Sequence, residues 1–189
     1  ILAQVLPSAR EQGEHRGFSR DPLRETSARL TPNLLHKYQG RALLLVTNAC
    51  AVHCRFCFRR HTRRPVTARG LADALRAIRR DKSVSEVILS GGDPLMLPPS
   101  GLRKIIRQLS AIPHVQLLRI HTHIPVVWPA RITRTLLHSL TRSRLTPVMV
   151  IHTNHPREMY PAVQAALRRI SQAGIILISQ SVLLKGIND

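Results

Sequence analysis

All three cysteines of the chain fall within eight residues, Cys50-Ala51-Val52-His53-Cys54-Arg55-Phe56-Cys57, spaced C-x3-C-x2-C. One loop can wrap a single metal centre at this spacing, and thiolates suit zinc or an iron-sulfur cluster. An odd, tightly grouped set argues against a disulfide framework and for metal or redox chemistry in a reducing compartment. A structural site wants four protein ligands. Three cysteines leave one position of a cluster open to an outside ligand. A zinc site completed by His53 or His61 is the alternative that the residue types permit.

A second group, Gly91-Gly92-Asp93, combines two residues without side chains and a carboxylate. Both groups must be positioned by regular elements, and the hydrophobic pattern supplies them. Short β-branched or leucine-rich runs predict strands over Leu43 to Thr47, Glu86 to Leu89, Val115 to His121, Pro147 to His152 and Ile175 to Gln180. Helical spacing places Leu71, Ala74, Leu75 and Ile78 on one face, and Leu102, Ile105, Ile106 and Leu109 on another. Leu136, Leu137 and Leu140 share a third, and Val163, Ala166, Leu167 and Ile170 a fourth. Ser100 and Thr133 are placed to cap two of these helices and Gly174 to end the last.

Strands alternating with helices build a parallel α/β sheet with right-handed crossovers. An open doubly wound sheet and a full or partial (β/α) barrel both satisfy the pattern. Either one gathers chemistry at the carboxyl ends of its strands, where the cysteines follow the first and Gly91-Gly92-Asp93 the second. Residues 1 to 42 are polar and irregular, and an extended lead-in is expected there, followed by one core domain over 43 to 189.

The formal net charge is +19, with 29 basic residues against 10 acidic ones. A polyanion partner would explain such a charge. The cations are spread along the whole chain, however, and an aromatic content of 3% excludes a stacking platform for single strands. Nucleic acid is therefore not expected as the main partner. No apolar run reaches membrane-span length and no signal-peptide layout is present, so a soluble cytoplasmic protein is expected. The start at Ile1 and the uncapped end at Asp189 lead us to expect a fragment.

The cysteine loop resembles the signature of the radical S-adenosylmethionine (SAM) superfamily. The likeness extends through Lys37-Tyr38, Arg41 to Val46, Cys50 to His61, Ser90 to Leu95, Ile112-Pro113-His114, Pro125-Val126-Val127 and Pro129 to Thr133. It continues through Asn154-His155-Pro156 and Gln180 to Leu184. In order, these segments are similar to the lysine 2,3-aminomutase family. Gly17-Phe18-Ser19, Asp21-Pro22-Leu23 and Leu34 to Tyr38 look like its bacterial branch that makes (R)-β-lysine for modification of elongation factor P.

The resemblance implies a partial radical SAM barrel and three cofactors: a 4Fe-4S cluster on Cys50, Cys54 and Cys57, SAM, and pyridoxal 5'-phosphate (PLP). The open iron would chelate SAM, with Gly91 and Gly92 approaching its methionine part and Asp93 accepting from its ammonium. Arg59 would hold the carboxylate of the substrate L-lysine. Tyr38 would stack on the PLP ring, Lys37 and Arg41 would meet its phosphate, and Gln180 would contact the ring, so that residues 1 to 42 contribute to the PLP site. Lys185 matches an arginine of the family, which puts the PLP lysine and the acids recognising the substrate's side chain beyond Asp189. An electron donor such as flavodoxin or ferredoxin is implied, and a homo-oligomer is compatible. The chain departs from its relatives at His123, where they carry Arg, and at His53, where the nearest carry Asn. The competing functions are another amino-acid aminomutase, a non-catalytic fragment that keeps the cluster loop, and a zinc-dependent nucleic-acid module.

Overall fold

The computed structural model describes residues 1–13, 16–61 and 65–189. One sheet holds β1 (Arg29–Thr31), β2 (Leu34–Tyr38), β3 (Arg41–Thr47), β4 (Glu86–Gly91), β5 (Leu117–Thr122), β6 (Thr146–His152) and β7 (Ile176–Gln180), in strictly sequential order. β3 through β7 run parallel. Their connections carry α1 (Ala68–Arg80), α2 (Pro99–Ser110), the single turn α3 (Ile124–Val127), α4 (Arg134–Thr141) and α5 (Pro161–Gln172). A doubly wound sheet reverses its strand order at a switch point, whereas a barrel wall does not. The unbroken order therefore identifies an unclosed part of a (β/α) barrel.

The five predicted strands are the parallel part of this wall. The sheet has seven strands because the lead-in is not simply extended: β1 and β2 form an antiparallel pair, and β2 pairs antiparallel with β3. Leu34 and Leu35 of β2 are buried. Pairing along β3 also covers what would otherwise be an exposed edge.

Side chains cap α1 and α4, whereas α2, α3 and α5 begin at or next to a proline without a side-chain cap. Thr133 caps α4 by accepting from the Leu136 amide at 3.2 Å, and Thr67 does the same for α1 from Gly70 at 3.0 Å. Gly174 follows α5 with φ +80°, a left-handed conformation that suits glycine. Ser100, expected as a cap, instead lies inside the first turn of α2, which begins at Pro99 with no side-chain cap. Proline has no amide hydrogen to satisfy and its φ is already helical, so Pro98-Pro99 starts this helix on its own.

Strand alternation divides the chemistry. Ala42, Leu44, Val46, Val87, Leu89, Leu118, Ile120, Met149 and Ile151 belong to a core that includes Ile78, Leu102, Leu109, Leu140 and Ile170 from the helices. Each fully buried side chain of this kind contributes about 2 kcal/mol. The intervening residues line an interior cavity: Arg41 and Leu43, Ile88 and Ser90, Arg119 and His121, Val150 and His152. The helix-packed face is apolar, and the concave face carries nearly all the strands' polar groups.

Candidate functional site

The cavity encloses about 600 Å³ and is lined by all three cysteines, by Gly91, Gly92 and Asp93, and by Lys37, Tyr38, Arg41, Arg59 and Gln180. The residues expected to hold the cluster, SAM, the substrate carboxylate and PLP thus face one space, whereas His53 and His61 do not line it. A larger basin of about 1060 Å³ lies between α2 and α4, lined by Arg103, Lys104, Arg107, Arg134 and Arg142, and it touches none of those groups.

The cysteine loop leaves β3 and turns so that the Cys57 amide donates to the Cys54 carbonyl at 3.2 Å. Burial, with Cys57 and Cys50 adding to it, pushes the Cys54 thiol up to about 11. A bound metal must displace those protons, so metal uptake is coupled to pH. His53 and His61 are both exposed. Among the described residues no three His, Cys, Asp or Glu side chains converge on one ion. The three thiols line one wall of the cavity.

The loop is fastened from behind. The Arg55 amide donates to the Gln4 carbonyl at 2.8 Å. Gln4 Nε2 donates to Glu158 Oε1, and Asn154 Nδ2 donates to Gln4 Oε1, each at 2.8 Å. Glu158 Oε2 accepts from Thr153 Oγ1 and the Asn154 amide, also at 2.8 Å. Burial pushes the Glu158 carboxyl up, but these hydrogen bonds outweigh it and hold the group below its ordinary value. Arg55 and Arg60 also both pair with Glu11.

Gly91 and Gly92, expected to approach SAM, lie against the root of the cysteine loop. The Gly92 amide donates to the Thr47 carbonyl at 2.6 Å and the Asp93 amide to the Ala49 carbonyl at 2.7 Å. A Cβ on Gly92 would sit 2.7 Å from the Asn48 carbonyl carbon. Gly91 has φ +119°. The absent side chains let the turn after β4 lie directly on the root of the cysteine loop.

Asp93, expected to accept from an ammonium, accepts from four donors of the chain itself. Its Oδ1 accepts from Leu95 N at 3.0 Å and Thr122 Oγ1 at 2.7 Å, and its Oδ2 from His123 N at 2.7 Å and Ile124 N at 3.2 Å. A carboxylate has about four acceptor sites, and protein donors take them. Burial nevertheless pushes its pKa up. Asp93 joins the turns after β4 and β5.

Arg59 lies at the cavity wall, its Nε 2.9 Å and its Nη2 2.6 Å from the Glu25 carboxylate, with Nη1 donating to Ser90 Oγ at 2.9 Å. Arg41 Nε donates to Glu86 Oε2 at 2.6 Å. Arg119 Nη2 stands 2.5 Å from Glu86 Oε1 as an ion pair that is out of line for a hydrogen bond. Lys37 Nζ donates to the Leu23 carbonyl and stands 5.5 Å from the Tyr38 ring centre. Gln180 ends β7 opposite His152.

Three imidazoles complete the wall. Burial pushes His121 and His123 down to about 4, with Arg119 and Arg59 adding to the effect at His121, and burial lowers His152 as well. All three are neutral at pH 7, and among the described residues the Nε2 of each is buried without a hydrogen-bond partner. Buried unsatisfied nitrogens call for a ligand or water with polar atoms. His123 Nδ1 also lies 3.7 Å from Cys54 Sγ. The residues present thus fit a thiolate-held cluster with a polar ligand beside it.

Glu25, Glu86, Arg119, His121, His152 and Glu158 are functional-site residues to which the sequence reading assigned no role. Strand alternation was the available signal for four of them, because residues two apart along β4, β5 and β6 share the concave face.

A parallel barrel wall whose first parallel strand delivers three cysteines to an interior cavity, beside a glycine turn, defines a class of cluster-binding protein. The family model of the radical SAM superfamily matches residues 44–189, and the chain belongs to that superfamily. Family membership implies a 4Fe-4S cluster and SAM. An L-lysine 2,3-aminomutase of Haemophilus influenzae is 44% identical, the match covering all of this chain and 57% of that protein. Those of Escherichia coli (44%) and Clostridium subterminale (38%) are matched over the whole chain and over 56% and 46% of their own lengths. The chain spans about half the length of the curated relatives it matches. No helix among the described residues is long and apolar enough to cross a membrane.

Proposed function

We propose that the whole protein is an isomerase, a radical SAM, PLP-dependent lysine 2,3-aminomutase that converts L-lysine to (R)-β-lysine. Elongation factor P modification is the role its bacterial likeness supports. The observation that carries this reading is the convergence on one cavity of three thiols, a fixed guanidinium and a cluster of cations at the β2–β3 end. Similarity over the whole of this chain, and over 57% of the Haemophilus influenzae enzyme's length, to enzymes of that name accompanies it. When bound, the cluster and SAM supply a carbon radical that abstracts hydrogen, and PLP supplies stabilisation for the migrating amino group.

The chain's own residues bind, orient and exclude. Cys50, Cys54 and Cys57 would hold the cluster and leave one iron open. The turn at Gly91-Gly92-Asp93 fixes the cysteine loop through the Thr47 and Ala49 carbonyls. His121, His123 and His152, neutral at working pH, would offer unfilled nitrogens to the polar atoms of SAM or substrate. Arg59 would receive the substrate carboxylate, a planar two-point task for which guanidinium is suited. Lys37, Arg41 and Tyr38 would meet the PLP phosphate and ring, with Gln180 at the far wall. The apolar sides from Leu43, Ile88 and Val150 would keep water from a reactive radical.

The test is anaerobic reconstitution with iron and sulfide, with iron counting and electron paramagnetic resonance of the reduced protein with and without SAM. It is followed by product analysis from L-lysine with PLP and a flavodoxin or ferredoxin reductant. About four irons per chain, a spectrum that changes with SAM, and β-lysine formation are expected. Bound zinc without iron, or a spectrum indifferent to SAM, would overturn the reading.

A further inference from the structure

The Arg59 guanidinium is restrained on three sides. Glu25 occupies one edge, accepting from Nε and Nη2. Ser90 takes a hydrogen of Nη1. The Phe58 ring lies beneath, 4.6 Å from the guanidinium carbon. A guanidinium has five N–H donors, so one hydrogen on Nη1 and one on Nη2 are left over.

Glu25 is itself built in. Asp21 Oδ1 accepts from the Glu25 amide at 2.9 Å and Asp21 Oδ2 from the Thr26 amide at 2.8 Å. The Arg24 amide donates to the Asp21 carbonyl at 3.0 Å, and Arg24 takes φ +52° to close the turn. The Glu25 side chain is 8% exposed and that of Arg59 13%. A carboxylate that merely stood in for an absent substrate would have to leave when substrate arrived. Glu25 has no cheap exit, because its backbone is pinned and departure would strand a buried charge.

We propose that Glu25 is the positioning residue of the substrate site: it grips one edge of Arg59 so that the two remaining N–H groups present a fixed fork to the substrate's carboxylate. This rests on the reading of Arg59 given above. The Glu25–Arg59 pair is formally neutral before substrate binds, so carboxylate recognition relies on donor geometry more than on excess charge. Without Glu25 the guanidinium can rotate and offer any of its edges, losing preorganisation.

Glu25→Gln replaces one acceptor oxygen by an NH2 that confronts a guanidinium N–H, while keeping size. The experiment uses the reconstituted, PLP-loaded full-length protein. Equilibrium binding and KM are measured for L-lysine and for L-lysinamide, which lacks the carboxylate, with thermal melts of each variant alongside. Wild type should favour lysine. Glu25→Gln should weaken lysine roughly 10- to 100-fold, the range for one charged hydrogen bond, and leave lysinamide within about twofold. Glu25→Asp should recover part of the loss. Equal weakening of both ligands, or no change in either, overturns the proposal. A wild-type protein that does not distinguish lysine from lysinamide overturns the Arg59 reading itself, and the Glu25 proposal with it. Wild-type discrimination with an indifferent Glu25→Gln overturns the positioning role alone.

Discussion

Gly92→Ala is a small change with a large consequence here. The added methyl would press closest on the Ala49 carbonyl oxygen and would stand 2.7 Å from the Asn48 carbonyl carbon and 2.8 Å from that of Ala49. Carbon atoms rest at about 3.5 to 4.0 Å, so the two backbones must part by roughly 0.8 Å. Both neighbours are main chain and cannot swing aside as a side chain would. Separation lengthens the Gly92–Thr47 and Asp93–Ala49 hydrogen bonds, now 2.6 and 2.7 Å. Overpacking costs about 1–3 kcal/mol and each of the two lengthened backbone hydrogen bonds about 0.5 kcal/mol, which together make about 2–4 kcal/mol. Urea unfolding should shift its midpoint down by roughly 1–2 M, taking a slope of about 2 kcal/mol/M. Iron retention after reconstitution should fall too, because the parted backbone is the root of the cysteine loop. An alanine variant with an unchanged midpoint and full iron would refute the claim that this turn lies directly on the loop.

Other perturbations test other parts of the site. Cys54→Ser should keep the fold, read by circular dichroism, while bound iron drops from about four per chain to a small fraction after reconstitution. Glu86→Gln removes the charge shared by Arg41 and Arg119 and should cost about 2–3 kcal/mol in urea unfolding. His121, held down to about 4 from an ordinary 6.5, binds its proton more readily when unfolded. Its contribution is therefore complete above pH 6.5 and lost as pH falls from 6.5 toward 4, about 2 kcal/mol between pH 7 and 5. In His121→Gln the stability difference between those two pH values should shrink by that amount.

The barrel wall was legible because its signals are local and repeated. β3 to β7 and the four longer helices between them lie within a few residues of where hydrophobic period alone puts them, while the single turn α3 was not foreseen. The β1–β2 pair was not, since three- and five-residue strands carry too few alternations to register, and Leu34-Leu35 is a doublet without period. Ser100 misled because a serine after two prolines looks like a cap, when proline's fixed φ had already begun the helix. The cysteines were legible from spacing alone. Glu25 and Glu158 were not, because their partners lie 34 and 154 residues away. A cue was nonetheless present: with 10 acids among 29 cations, each carboxylate is scarce enough to ask what it holds. The sequence reading expected Gly91 and Gly92 to approach SAM; the close neighbours the structure shows are the chain's own backbone at Thr47 to Ala49, which spacing alone does not reveal.

The tie between Gln4 and Glu158 also sets an order of assembly. Gln4 leaves the ribosome first, yet its partner is synthesised 154 residues later, after β6. Closing so long a loop is entropically costly and slow, so this contact forms after the local βα units. Arg55, which leans on the Gln4 carbonyl, cannot find its final support before then. The three thiols are thus synthesised before the Gln4–Glu158 support behind them can close. A nascent chain of this design should meet iron after its sixth strand is in place, and premature exposure to oxidant would catch the cysteines before the Gln4–Glu158 support is made.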